Sequence, residues 1–248
     1  MAFRVVIPAR FDSSRLPGKV LLPLAGKPML QWVHERARSC NAEQVIVATD
    51  DERIATAARG FGADVAMTAR THVSGTDRIA EVAAARQWAD GDIVVNVQGD
   101  EPLIPPAVIG QVAQLLATHA RADIATLAAR IDHINDFNDP NNVKVACDAG
   151  GRALYFSRAP IPWNRDATST LTPASFRHIG IYAYRVSALR RLASLPPSRL
   201  EQIEKLEQLR ALENGMEIRV ALAVERPLAD VNTAADLERA ERALTLRP

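Results

Sequence analysis

The run Val5-Val6-Ile7-Pro8-Ala9 passes straight into Arg10-Phe11-Asp12-Ser13-Ser14-Arg15-Leu16-Pro17-Gly18-Lys19, an apolar strand that empties into a loop carrying three cations. A strand followed by turn formers and then by a helical pattern opens an α/β domain, and such domains bind ligands beyond the carboxyl ends of their strands. Arg10, Arg15 and Lys19 then stand where a ligand sits, and together they suit the phosphates of a nucleoside triphosphate. Cations also serve simply to solvate a loop, so charge position by itself leaves both readings open.

Apolar, β-branched segments recur at residues 4–8, 44–49, 63–68, 92–97 and 124–131, separated by stretches of helical period such as 29–39 and 78–88. That alternation predicts an α/β fold with a mostly parallel central sheet and helices on both faces. Beyond Asn142 the rhythm changes. Strand patterns at 143–147, 153–157 and 179–185 follow one another too closely for crossover helices, which predicts a smaller mixed or antiparallel insertion over about 142–190. A helix over 200–213 ending near Asn214-Gly215, a strand over 217–224 that rejoins the sheet, and a last helix from Asn232 or Thr233 complete a single domain over 1–248. The insertion then forms one wall of a cleft, where a second substrate would bind.

The 30 Lys and Arg nearly cancel the 29 Asp and Glu, so the overall field invokes neither a nucleic acid nor an anionic membrane as partner. No apolar run approaches the about 18 residues of a membrane span, and no basic segment followed by a long apolar one opens the chain, which predicts a soluble protein without membrane insertion. Cys40 and Cys147 form no CxxC pair and read as buried thiols in a reducing, cytoplasmic compartment. The only GxG, Gly60-Phe61-Gly62, precedes a strand and lacks the third glycine of a dinucleotide fingerprint. Gly18 and Gly26-Lys27-Pro28 do not make a P-loop, since the spacing is wrong and Pro28 has no hydroxyl for a metal. His34, His72, His119, His133 and His178 form no zinc-binding pair, and no GxSxG elbow follows a strand. A metal, where present, is held by carboxylates.

The strand pattern Ile93-Val94-Val95-Asn96-Val97 ends in Gln98-Gly99-Asp100-Glu101-Pro102, which puts Gln98 and Asp100 beyond its carboxyl end. Asp100 suits Mg2+, an ion that takes one or two carboxylates together with phosphate oxygens and water. An Asp ahead of a proline-containing turn also serves as a cap. Further segments carry a resemblance: Ile7-Pro8-Ala9-Arg10 with Ser14-Arg15-Leu16-Pro17-Gly18-Lys19; His72 with Ser74-Gly75-Thr76; Leu154-Tyr155-Phe156-Ser157-Arg158; Arg177-His178-Ile179-Gly180-Ile181-Tyr182; and Leu206-Glu207-Gln208-Leu209-Arg210. On these and the Asp100 segment, the chain resembles the 3-deoxy-manno-octulosonate (Kdo) cytidylyltransferases, or CMP-Kdo synthetases, over nearly its full length. These belong to the wider group of sugar nucleotidyltransferases. The first motif alone indicates that wider group, and the last three segments point to the Kdo enzymes.

The resemblance implies a Rossmann-like sheet and transfer of CMP from CTP to the anomeric hydroxyl of Kdo, with release of pyrophosphate, for lipopolysaccharide assembly. Chemistry of this kind rests on positioning, metal and cations, so the absence of a nucleophilic triad fits. By the same resemblance Ala9, Arg10, Arg15 and Lys19 hold the triphosphate, Lys19 and Asp100 are catalytic, and Ser74, Gly75 and Gln98 face the nucleotide. Arg158 takes the sugar carboxylate with its guanidinium fork, while Gln98, His178, Tyr182, Glu207 and Gln208 serve the hydroxyls. Two of these assignments have rivals in the residues themselves. Ser74-Gly75-Thr76 ahead of Asp77 is also a good helix cap, and Glu207 lies on a helix whose apolar stripe leaves room for a solvated glutamate. His178 and Tyr182 share parity on a strand and so face one side.

Members of that family usually carry Gly-Val-Asp-Thr near the carboxyl end, with the Asp as a second Mg2+ ligand, whereas this chain reads Asp230-Val231-Asn232-Thr233. Asp230, two residues before Asn232, restores the charge if the segment is extended, as in the Asp-x-Asp pair of sialic-acid cytidylyltransferases, and the pair Asp230 and Asn232 joins Asp100 as metal ligands. Asn232 as a cap of the last helix is the other reading. A homodimer is the family expectation. Two alternatives in function remain: a cytidylyltransferase for another acidic sugar (8-amino-Kdo or sialic acid), and a CTP-binding regulatory protein without turnover.

Overall fold

Strand β1 (Arg4–Ala9) divides its side chains between two cores. Val5, Ile7 and Ala9 enter one apolar cluster and Val6 the other, and Val5, Val6 and Ile7 are all fully buried. This is the two-residue period of a strand with both faces covered, and each such side chain contributes roughly 1.5–3 kcal/mol by leaving water. The computed structural model describes residues 1–12, 16–167, 171–227, 231 and 233–245; Arg15, Asp230 and Asn232 lie outside the described residues.

After β1 the chain runs through β2 (Pro23–Leu24), β3 (Lys27–Pro28), α1 (Met29–Arg38), β4 (Gln44–Thr49), α2 (Glu52–Gly60), β5 (Asp64–Met67), α3 (Gly75–Ala85) and β6 (Ile93–Asn96). It continues through α4 (Pro106–Thr118), β7 (Ile124–Arg130), α5 (Ile134–Asn138), β8 (Lys144–Cys147), β9 (Ala153–Ser157) and β10 (Phe176–Arg185). The last part comprises α6 (Val186–Ser194), α7 (Arg199–Glu204), α8 (Gln208–Glu213), β11 (Ile218–Leu222) and α9 (Ala234–Thr245). The main sheet has the order β11-β7-β10-β6-β1-β4-β5, and β8 joins it on β10 with β9 beyond. β1 pairs in parallel with β4 and β6, β4 with β5, and β7 with β11, while β10 runs antiparallel between β6 and β7. Helices α1, α2 and α4 pack on one face; α3, α6 and α8 pack on the other. The expected mostly parallel α/β sheet is therefore present, and its last strand does rejoin it.

Three local departures have physical causes. The helix expected at 78–88 begins at Gly75, because the Ser74 side chain accepts from the Asp77 N–H while Asp77 reaches back to the Ser74 N–H. That reciprocal capping box satisfies two free donors and draws the first turn forward; Gln87, at φ 55°, ends it early. Strand β10 starts at Phe176 rather than Ile179, and it pairs with β7 of the main sheet on both sides of its register shift, its second half with β6 as well. The helix expected at 200–213 is broken in two at Lys205, whose φ of 54° and ψ of 47° are left-handed. Apolar periodicity in the sequence concealed this break, since Leu200, Ile203, Leu206 and Leu209 run across it, although only Leu206 and Leu209, beyond it, are buried. The C-cap predicted at Asn214-Gly215 is present, with Gly215 at φ 71°.

The left-handed region costs a side-chain-bearing residue roughly 1–2 kcal/mol, and more when the residue is β-branched. Lys205 is solvent-exposed, so substitution there tests backbone conformation with little loss of packing. Lys205→Val lowers the unfolding free energy by about 1–2 kcal/mol in urea titration, whereas Lys205→Gly leaves it unchanged or raised.

Candidate active site

Three loops meet at the carboxyl edge of the sheet. Pro8, Ala9 and Arg10 leave β1, Gln98 and Asp100 leave β6, and Ser74 and Gly75 open α3. The close crossing of the first two depends on glycine: a Cβ on Gly99 would come within 3.1 Å of the Pro8 carbonyl oxygen and 3.4 Å of Val20 Cγ1. Ala9, Arg10, Ser74, Gly75 and Gln98 line a single cavity of about 70 Å³. A second cavity of about 180 Å³ is lined by Gly75, Thr76, Asn96, Gln98, Tyr182, Tyr184, Glu207 and Gln208, among others. Gly75 and Gln98 belong to both linings, so the two cavities adjoin. Ser74 caps α3 and also lines the first cavity.

The Lys19 ammonium lies 2.5 Å from Asp100 Oδ2, with the lysine side chain only 12% exposed. The turn ahead of Lys19 is set by Gly18 at φ 67°, where a Cβ would meet the Phe11 ring at 2.9 Å. The Gly18 N–H also bonds the Phe11 carbonyl at 2.9 Å, closing the cationic loop back on its own base. The Val231 N–H donates to the Asp100 carbonyl at 3.0 Å, and the Val231 side chain is fully buried. Val231 is flanked in sequence by Asp230 and Asn232. Thr233 caps α9, its hydroxyl accepting from the Asp236 N–H at 3.2 Å while Asp236 accepts from the Thr233 N–H at 2.7 Å. Among the described residues no group of three or more His, Cys, Asp or Glu could hold a metal. A lone Asp100 beside the cationic loop fits a hard ion that arrives with phosphate oxygens, and does not fit a zinc site.

The break at Lys205 turns Glu207 inward. Its carboxylate accepts a short hydrogen bond from the Thr76 hydroxyl on α3. Burial raises the Glu207 carboxyl above its ordinary value, opposed by bonds from Thr76 and Ser74 and by the Arg210 cation. The Arg210 fork is itself held by Glu201, Nη2 at 2.5 Å and Nε at 2.8 Å. Tyr182 and Tyr184, stacked at 5.8 Å, have hydroxyls pushed upward by burial and, in each case, by Glu207 as well. His178 packs against Tyr182 at 5.3 Å, so the shared side expected of them holds even though the register of β10 shifts between Ile179 and Tyr182.

Residues 4–218 match the cytidylyltransferase family. A 3-deoxy-manno-octulosonate cytidylyltransferase of Thioalkalivibrio sulfidiphilus is 53% identical, over 98% of this chain and 99% of the relative. One from Pseudomonas syringae pv. tomato is 57% identical, over 98% of each chain. The chain belongs to the cytidylyltransferase family. A solved CMP:2-keto-3-deoxy-manno-octonic acid synthetase complexed with CTP superposes with a TM-score of 0.92 at 41% identity, covering all of both chains. A Leptospira borgpetersenii cytidylyltransferase shares the fold at a TM-score of 0.65 and 18% identity, over 99% of this chain and 87% of that one.

Against this cytidylyltransferase frame Arg158 stands apart. Its Nε donates to the Glu204 carbonyl at 2.7 Å and its Nη1 to the Pro140 carbonyl at 2.9 Å, so the side-on fork is engaged within the chain, and Arg158 lines neither cavity. Four further residues shape the site without having been singled out in the sequence. Arg78 is 3% exposed, donates to Asp50 at 2.9 Å and to Thr68, and lines the first cavity. Thr76, Asn96 and Tyr184 line the second. A signal for two of them exists: Arg78 falls on the helix face of buried Ile79 and Val82, and Asn96 interrupts an apolar strand. Neither Thr76 nor Tyr184 carries such a mark.

A carboxyl whose folded pKa lies above its unfolded value costs stability once pH exceeds the unfolded value, and costs nothing below it. Glu207→Gln removes that cost while keeping an oxygen for Thr76. Urea titrations at about pH 4 and about pH 8 therefore show the difference in unfolding free energy moving in favour of the variant as pH rises. A difference independent of pH contradicts the buried, strained carboxylate.

Proposed function

We propose that this protein transfers CMP from CTP to the anomeric hydroxyl of Kdo, releasing pyrophosphate. The observation that carries this reading is the adjacency of two cavities: one holds the Ala9, Arg10, Ser74, Gly75 and Gln98 set read as nucleotide-binding, the other the Gln98, Tyr182, Glu207 and Gln208 set read as sugar-binding. Full-length relatives named for this activity support it, as does the likeness to a synthetase complexed with CTP.

In the reaction the sugar hydroxyl oxygen bonds to the α-phosphorus of CTP, the bond from that phosphorus to the bridging oxygen breaks, and the hydroxyl proton is lost to solvent. Arg10, Arg15 and Lys19 hold the triphosphate, and Lys19 balances the charge that collects on departing pyrophosphate. Lys19 and Asp100 neutralise each other across 2.5 Å. Asp100, with Asp230 and Asn232, would hold Mg2+, which when bound would neutralise charge at the phosphates. Gln98, at the junction, meets both substrates, while Tyr182, Glu207 and Gln208 hold sugar hydroxyls. His178, packed on Tyr182, joins them, and Arg158, as the resemblance implies, takes the sugar carboxylate.

We further place the enzyme in the cytoplasm as a homodimer. Two free cysteines support the first, together with the finding that no helix among the described residues is long and apolar enough to cross a membrane. For the second, Leu154 at 55% exposure and Trp163 at 61% offer apolar contact area near the β8–β9 hairpin.

Pyrophosphate release by the purified protein with CTP and Mg2+ is expected with Kdo and neither with sialic acid nor without sugar. Release with sialic acid alone would change the substrate, and CTP binding without release would leave a binding protein. Asp100→Asn lowers kcat at least about a hundredfold with the fold intact by circular dichroism; near-normal turnover would remove Asp100 from the mechanism.

A further inference from the structure

Thr126, on β7, is fully buried and stands inside the register shift of β10. Its hydroxyl oxygen lies 2.7 Å from the Ile181 carbonyl, 3.1 Å from the Ile179 carbonyl and 2.9 Å from His178 Nε2. A hydroxyl has one proton, and both carbonyls are acceptors only. If that proton went to His178, two carbonyl oxygens would face the lone pairs of Thr126 with nothing between them, a buried arrangement that costs free energy. The proton therefore goes to the bulge carbonyls, and the hydroxyl accepts from His178, whose Nε2 must carry a hydrogen.

The imidazole ring is clamped as well as polarised. Phe156 meets it edge-on at 5.0 Å and Tyr182 packs on it at 5.3 Å. Burial, and then the Arg177 cation, press the ring down to about 3, so it is neutral at physiological pH and only one nitrogen holds a proton. With Nε2–H committed to Thr126, Nδ1 is a bare lone pair on a residue that is only half-buried.

We propose that Thr126 is a positioning residue that fixes His178 as the Nε2–H tautomer and thereby presents Nδ1 as a hydrogen-bond acceptor for a hydroxyl of the acidic sugar. This rests on the sugar-site reading above and gives it a direction: the sugar donates to His178, and does not accept from it. Thr126 also couples that tautomer to the bulge, because the same hydroxyl holds both.

The test is nitrogen NMR of the full-length, substrate-free enzyme labelled in its histidines, with the His178 signals assigned by their loss in His178→Asn. The wild type and Thr126→Ser are expected to show a protonated Nε2 and a bare Nδ1, and the same KM for Kdo. Thr126→Val is expected to lose the single tautomer and to raise the KM for Kdo roughly tenfold, with the KM for CTP held within about twofold. A wild-type spectrum with the proton on Nδ1 overturns the proposal, whether or not Thr126→Val folds. An unchanged KM for Kdo in a folded Thr126→Val variant also overturns it. Because the spectrum is recorded without substrate, failure of the tautomer and failure of the Kdo reading are seen separately.

Discussion

The hydrogen bond from Thr76 to Glu207 joins the two halves of this site. Thr76 lies in the first turn of α3, directly after Ser74 and Gly75, which line the first cavity. Glu207 opens α8 on a segment reached only after the chain has left the sheet, crossed α6 and broken at Lys205. Without that bond the buried carboxylate would keep the Ser74 bond and the Arg210 cation but lose one donor, at a cost of about 1–3 kcal/mol. Its survival therefore implies that the α3 start and the α8 start are held in fixed relation. That relation sets the distance between the two cavities.

The sheet makes the relation possible. Parallel strands β1, β4, β5 and β6 deliver their loops to one edge, as doubly wound folds do. One strand running the other way, β10, then brings Tyr182 and Tyr184 alongside Asn96 and Val94 of β6, so aromatic side chains floor the second cavity from within the main sheet. The bulge in β10, held by Thr126, adjusts the aim of His178 relative to Tyr182. The cations at the other end are likewise restrained: Lys19 by Asp100, Arg78 by Asp50 and Thr68. A polar site built this way is arranged before substrates arrive, which is the condition for electrostatic stabilisation of a charged transition state.

Much of this was legible in the sequence, for identifiable reasons. Strands such as β4 match their expected bounds because a run like Val45-Ile46-Val47-Ala48 has no polar face and no competing helical period. The residues at strand ends, Arg10, Gln98 and Asp100, could be placed because loop position follows from strand position. Helix boundaries were less accessible where a side chain decided them. The capping box at Ser74 moved α3 forward, and the left-handed Lys205 split one apolar stripe into two helices. The engagement of Arg158 with two carbonyls was invisible for a different reason: its partners, Glu204 and Pro140, lie 46 and 18 residues away. Thr76 and Tyr184 carry no local signature, since their roles arise only from the approach of α8 and β6. Arg15, Asp230 and Asn232 lie outside the described residues.

A double-mutant cycle measures whether the two cavities are coupled through the Thr76–Glu207 bond. kcat/KM for the acidic sugar, at saturating CTP, would be measured in the wild type, Thr76→Val, Glu207→Gln and the double variant. The account predicts strong non-additivity, the double variant being little worse than the poorer single one, with a coupling of about 1–2 kcal/mol. Additive losses, with a coupling near zero, would mean that Thr76 and Glu207 act independently and would contradict the account.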